Sequence, residues 1–116
     1  MADFTPEEFE EGKYTEYFPQ LQTAYKRAFN DLNGRYDSTL VHSLDQQVLN
    51  ESEPHYEGDG EFSVELPDEP IERLEGVVET EKAGEVLDRY VEGIEHQLRV
   101  VFDFEDEGED GGQPKA

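Results

Sequence analysis

Tyr14, Phe18, Leu21, Tyr25, Ala28 and Leu32 recur at alternating steps of four and three, and Ala83, Leu87, Tyr90, Ile94, Leu98 and Val101 repeat the same two steps near the other end of the chain. That spacing draws one apolar stripe on each of two α-helices. Phe29 widens the first stripe; Val86, Val91 and Phe102 widen the second. A stripe must be covered, so the two helices pack on each other, on the segments between them, or on a second copy of the chain. The first is predicted over about Thr15 to Asn33, with Pro19 allowing the regular helix to begin only near Phe18 and Gly34 ending it. The last is predicted from a Thr80 cap to about Val101 or Phe102. Gly84 and Gly93 each weaken it by up to about 1 kcal/mol relative to alanine, and each offers a place for close helix approach.

Charge pulls against such a core. The chain has 31 acidic and 9 basic residues among 116, a formal charge of −22, and only 34% of its residues are hydrophobic. This combination is the usual signature of disorder, but the periodic, aromatic-rich apolar positions argue for a folded domain. The length suits one domain. The acids are spread along the chain, and lysine occurs only at positions 13, 26, 82 and 115. At ordinary ionic strength the Debye length of about 8 to 10 Å leaves such charges repelling one another; in molar salt it falls to about 3 Å. Dispersed acid with little lysine is what a salt-loaded cytoplasm favours. The rival account is a nucleic-acid mimic that inhibits a basic protein, which would gather its acid on one face.

Shorter elements carry their own punctuation. Thr5 is placed to cap a helix, with Pro6 in its first turn, Glu8 completing a capping box, and Phe4 and Phe9 spaced as a hydrophobic staple. Gly12 stops it. A third helix is expected from about Ser38 to Leu49, with Leu40, Val41, Leu44 and Val48 on one face. Pro54 blocks further helix, Gly58-Asp59-Gly60 makes a tight turn, and "EFSVEL" alternates as a half-buried strand over 61–66. His55 to Glu57 form the first arm of that hairpin. "PDEP" at 67–70 leads into a brief helical turn through Leu74, closed by Gly76. Residues 105–116, "EDEGEDGGQPKA", read as a disordered acidic tail, leaving one domain over 1–104. The expected fold is mainly α (α+β): a compact bundle of two long amphipathic helices plus shorter helices, with a small β-hairpin around residues 55–66, as a monomer or homodimer.

Most chemistry is excluded or unsupported. There is no cysteine, hence no disulfide or thiolate site. No export signal and no stretch of about 20 apolar residues is present, so a cytoplasmic protein away from membranes is expected, and the sequon at Asn50 carries no weight. The serines lie in no nucleophile-elbow pattern, and no phosphate-binding glycine loop occurs. A charge of −22 opposes direct nucleic-acid binding. "DFEDEG" at 103–108 resembles the start of a calcium loop, but the twelfth position is Pro114 instead of glutamate. His42 with Asp45, and Glu92 with His96, share helix faces, yet neither pair reaches the three ligands a tight metal site needs. No cofactor, metal or catalytic residue is assigned.

The least ordinary stretch is "LNESEPHYEGDGEF", residues 49–62. Glu53, His55, Tyr56 and Glu57 beside a rigid turn are the residues from which a binding surface is first expected. The plainer account is preferred: Tyr56 and Phe62 pack on the bundle from opposite arms, and the acids are ordinary surface.

The run "YTEYFPQLQTAYKRAFNDLNGRYDSTLVHSLDQQVLNESEPHYEGDGEF", followed by "VELPDEPIERL" and a terminal amphipathic helix, resembles a small acidic family of haloarchaea, a domain of unknown function. The resemblance covers roughly residues 3 to 104. It implies a halophilic cytoplasmic protein and transfers no catalytic residue, cofactor or substrate. The expected role is therefore a non-enzymatic domain that acts by contact with an unidentified protein partner. The alternatives are the acidic mimic, or a small metal protein or enzyme whose carboxylates converge on His42, His55 or His96.

Overall fold

The computed structural model describes residues 4–74 and 82–104. Among them are four α-helices and one antiparallel two-stranded hairpin. Helix α1, Pro6–Gly12, opens as expected: Thr5 Oγ1 accepts the Glu8 N–H at 3.1 Å, and Glu8 Oε1 accepts the Thr5 N–H at 2.9 Å. Phe4 and Phe9 close the staple with ring centroids 5.6 Å apart.

Helix α2, Phe18–Arg35, begins at the later of the two predicted starts and does not stop at Gly34. Gly34 is helical, and a Cβ there would meet nothing within 4 Å. The stop comes at Tyr36, whose backbone turns extended while its N–H still reaches Leu32 O at 2.9 Å. Asp37 then caps α3, Ser38–Gln47, through the Leu40 N–H at 3.0 Å. The predicted last turn of α3 is instead a separate 3₁₀ turn, Leu49–Glu51. Helix α4, Ala83–Val101, starts at a Lys82 that makes no side-chain cap. Thr80, Gly76 and the predicted tail at 105–116 lie outside the described residues.

The two stripes pack on each other within one chain. Leu21, Ala24, Ala28 and Leu32 of α2 are buried with Val86, Leu87, Tyr90, Ile94 and Leu98 of α4, and Leu40, Val41 and Leu44 of α3 join them. Gly93 is where α4 meets α2: a Cβ there would stand 3.6 Å from Ala28 Cβ and Leu32 Cδ2. Gly84 faces open space. The α2 stripe is only partly buried, however. Tyr14 precedes the helix, and Tyr14 and Phe18 are 55% and 39% exposed. The periodicity runs on past the end of the surface that α4 covers.

Strands β1, Glu53–Gly58, and β2, Glu61–Glu65, pair with Glu53 opposite Glu65, His55 opposite Ser63 and Tyr56 opposite Phe62. Asp59 and Gly60 form the two-residue loop, both with positive φ (56° and 76°). This is the backbone that suits the right-handed twist of a hairpin and favours Asp-Gly. The inward residues Tyr56 and Phe62 are buried. They join Phe4, Phe9, Tyr17, Phe102 and Phe104 in a cluster that ties α1 and the hairpin to the end of α4. Aromatic pairs of this kind contribute about 0.5–1.5 kcal/mol each beyond their buried area.

Candidate functional site: an ion-pair cluster beside an open aromatic groove

Alternation along β1 sends Pro54 and Tyr56 inward and leaves Glu53 and His55 on the outer face, where the register adds Ser63 and Glu65 from β2. Helix α1 packs beside β1 and supplies Glu10, with Lys13 as its C-cap. Lys13 is 2% exposed. Its ammonium donates to Pro54 O at 3.0 Å and pairs with Glu10 Oε1 and Glu53 Oε2, both at 2.7 Å. Three oxygens around three N–H donors make the burial of this charge tolerable. Burial works against the Lys13 charge, but the Glu10 and Glu53 carboxylates outweigh it and hold the group above its usual pKa. Burial likewise pushes Glu10 up, and its hydrogen bonds from Lys13 and His55 more than offset this, leaving it below the carboxylate range.

His55 continues the chain of contacts. Its Nδ1 lies 2.7 Å from Glu10 Oε2 and its Nε2 lies 2.8 Å from Glu65 Oε1. Ionised carboxylates only accept, so a ring bonded to both donates from both nitrogens and is an imidazolium. The bond to Glu10 raises its pKa against a smaller effect of burial, and Glu65 adds to the rise. The ligating atoms of Glu53, His55 and Glu65 all fall within 4.8 Å of one another.

Next to this cluster lies an open groove of about 570 Å³, lined by Tyr14, Phe18, Leu21, Gln22, Tyr25, Lys26, Asp45, Leu49, Asn50, Ser52 and Pro54. Cluster and groove share a wall: Pro54 lines the groove while its carbonyl holds Lys13, and Lys13 Nζ stands 5.6 Å from the Tyr14 ring centre. At the groove floor the Tyr25 hydroxyl meets Ser52 Oγ at 3.0 Å, and Ser52 donates to Leu49 O at 2.7 Å. Burial pushes the Tyr25 phenol up to about 12.

Of the four residues singled out in the sequence, Glu53 and His55 enter the cluster. Tyr56 faces the core, where its hydroxyl accepts the Gly60 N–H at 2.9 Å, and Glu57 accepts from the Ser63 hydroxyl farther along the strand. Sequence reasoning missed Glu10, Lys13 and Glu65. A strand register pairing 53 with 65 would have found Glu65; no local pattern announces a lysine whose acceptor Pro54 is 41 residues away. His42 and Asp45 each bond elsewhere. His42 Nδ1 bonds Ser38 O at 2.9 Å and its ring stands edge-on to Phe29, while Asp45 accepts from the Tyr90 hydroxyl at 3.2 Å. Glu92 accepts from Arg89 at 3.2 Å. Of the candidate calcium loop, Asp103 and Phe104 close α4 and Phe104 packs on Tyr56; its remainder lies outside the described residues.

A family model described as a family of unknown function, DUF5783, matches residues 1–105. The chain belongs to DUF5783. The extent of the DUF5783 match agrees with the span of the resemblance read from the sequence, and membership carries no activity with it. No match was found among curated proteins or solved structures. Within this DUF5783 domain, no helix of the described residues is long and apolar enough to cross a membrane.

Proposed function

We propose that this DUF5783 domain is a non-enzymatic protein-interaction module whose contact surface is the groove beside β1. One observation carries the reading. Tyr14 and Phe18 are the exposed large hydrophobic residues among the described part of the chain, and both line this groove. Exposed aromatics gathered on one wall, with polar residues at the rim, are the composition of a docking surface. Anchoring aromatics dominate such contacts. The ion-pair cluster lies on the hairpin face, and none of Glu53, His55 or Glu65 lines the groove, so the docking surface is separate from the carboxylate cluster. Halophilic adaptation is the reading adopted for the acids, because Glu7, Asp31, Glu57, Glu61 and Asp88 are exposed on five different elements. The unit is the acidic domain of residues 1–104, working in a salt-loaded cytoplasm as a monomer or homodimer.

The test is cross-linking and affinity capture in molar KCl with the full chain and with a Tyr14→Ser/Phe18→Ser variant. Loss of a specific captured protein with unchanged far-UV circular dichroism supports the reading. Equal capture by both chains refutes it. Capture that instead fades steeply with salt and follows basic proteins would favour the acidic mimic.

A further inference from the structure

We propose that Glu53, His55 and Glu65 form a binding site for a divalent first-row transition metal of the zinc type. The inference stands on the cluster alone and does not depend on the groove. The donor set is one imidazole and two carboxylates, already gathered within 4.8 Å. Zinc holds such ligands at about 2.0–2.2 Å, so binding needs a modest contraction. Glu65, whose side chain is 67% exposed, is free to supply it. The nitrogen facing Glu65 is Nε2, the atom that would lose its proton to solvent and bind the metal in its place.

The surroundings are those a ligating histidine requires. Metal-bound histidine usually donates its other ring N–H to a carboxylate, which fixes the tautomer and raises the basicity of the ligand. Here Nδ1 faces Glu10 Oε2 at 2.7 Å, and Glu10 is held by the buried Lys13 at 2.7 Å. Glu53 is oriented by the same ammonium through one oxygen and keeps the other for a metal. Charge balance points the same way. Glu10, Glu53 and Glu65 against Lys13 leave two negative charges; a proton on His55 cancels one, and a divalent cation cancels both. The imidazole selects a borderline transition metal over calcium or magnesium, which prefer oxygen donors throughout. Bound there, the metal would tie β1 to β2 and use the α1 pair as its outer support.

The test titrates zinc chloride into the metal-free full chain in molar KCl by calorimetry. It is paired with nitrogen-15 spectra of the three imidazoles. One zinc per chain, with the His55 Nε2 resonance moved and those of His42 and His96 unmoved, is the expected result. Glu65→Gln should weaken binding at least tenfold, and Glu10→Gln by about 10- to 100-fold. Glu57→Gln should leave it unchanged, and excess calcium should not displace the zinc. Glu65 is exposed enough for its variant to fold if His55→Gln does not. Absence of one-to-one binding, or affinity unchanged in Glu65→Gln and Glu10→Gln, overturns the site and assigns any uptake to diffuse association with the acids.

Discussion

At the scale of single residues, the packed contacts decide what substitutions do. Gly12 is buried, and a Cβ there would fall 2.9 Å from Tyr17 Cδ2 and Cε2, atoms of a ring locked between Phe4, Phe9 and Phe102. Gly12→Ala should therefore destabilise the domain by about 1–3 kcal/mol, the range for overpacking, measurable by urea denaturation in molar KCl. Tyr25 sets an alkaline limit. Its phenol is raised from 10.0 to about 12, so ionisation is easier in the unfolded chain. The stability this reflects is complete below pH 10 and declines as pH rises through about 12. Tyr90, raised by burial and by Asp45, works in the same direction. A pH series following tyrosinate absorbance and ellipticity should show part of the tyrosine titration coinciding with unfolding; a complete titration of the folded chain near pH 10 would contradict it. Local chemistry of this grain was readable in the sequence where partners are close, as at Thr5 and Glu8. Lys13 was not, because its burial depends on a strand folded against α1.

At the scale of elements, stripes and turns were readable and boundaries were less so. Gly34 carries the sign of a helix stop and is passed over, because the α2 backbone is helical there and Tyr36 supplies the break. The end of α4 shows the converse. Asp103 adopts φ 70°, its N–H reaches Val100 O at 3.0 Å, and the Phe104 N–H reaches Arg99 O at 2.7 Å. This is a Schellman closure built without the glycine it favours. The aromatic cluster enforces it, since Phe104 stacks on Tyr56 at 5.5 Å. Asp103→Val should accordingly lower stability by about 1–2 kcal/mol, because a β-branched residue resists this left-handed backbone, seen as a lower denaturation midpoint with unchanged slope. An unchanged midpoint would mean that the left-handed turn is not what closes the helix.

At the scale of the whole molecule, the question is how an acidic shell and a small core coexist. The core is made of two parts, an aliphatic seam between α2 and α4 and an aromatic cluster under the hairpin, and neither removes the exposed carboxylates from one another. On the halophilic proposal, screening by salt does so. Far-UV circular dichroism and size-exclusion chromatography from about 0.1 to 3 M KCl should show helicity and compactness rising with salt. A domain fully folded at the low end would remove the halophilic account and return the mimic to the front. Composition announced this balance from the start. It did not announce the ion-pair cluster, because with 31 acids in the chain a carboxylate near any histidine is unremarkable until the hairpin register selects Glu53 and Glu65.

The burial of Lys13 also turns the molecule into its own footprinting probe. Lys26 and Lys82 are open to solvent, whereas Lys13 is 2% exposed and surrounded by oxygen acceptors. An acylating reagent reaches the first two in the native chain and reaches Lys13 only when α1 lifts from β1. The yield of the Lys13 adduct, read by mass spectrometry at each salt concentration, therefore reports the opening of that one junction separately from the melting of the helices.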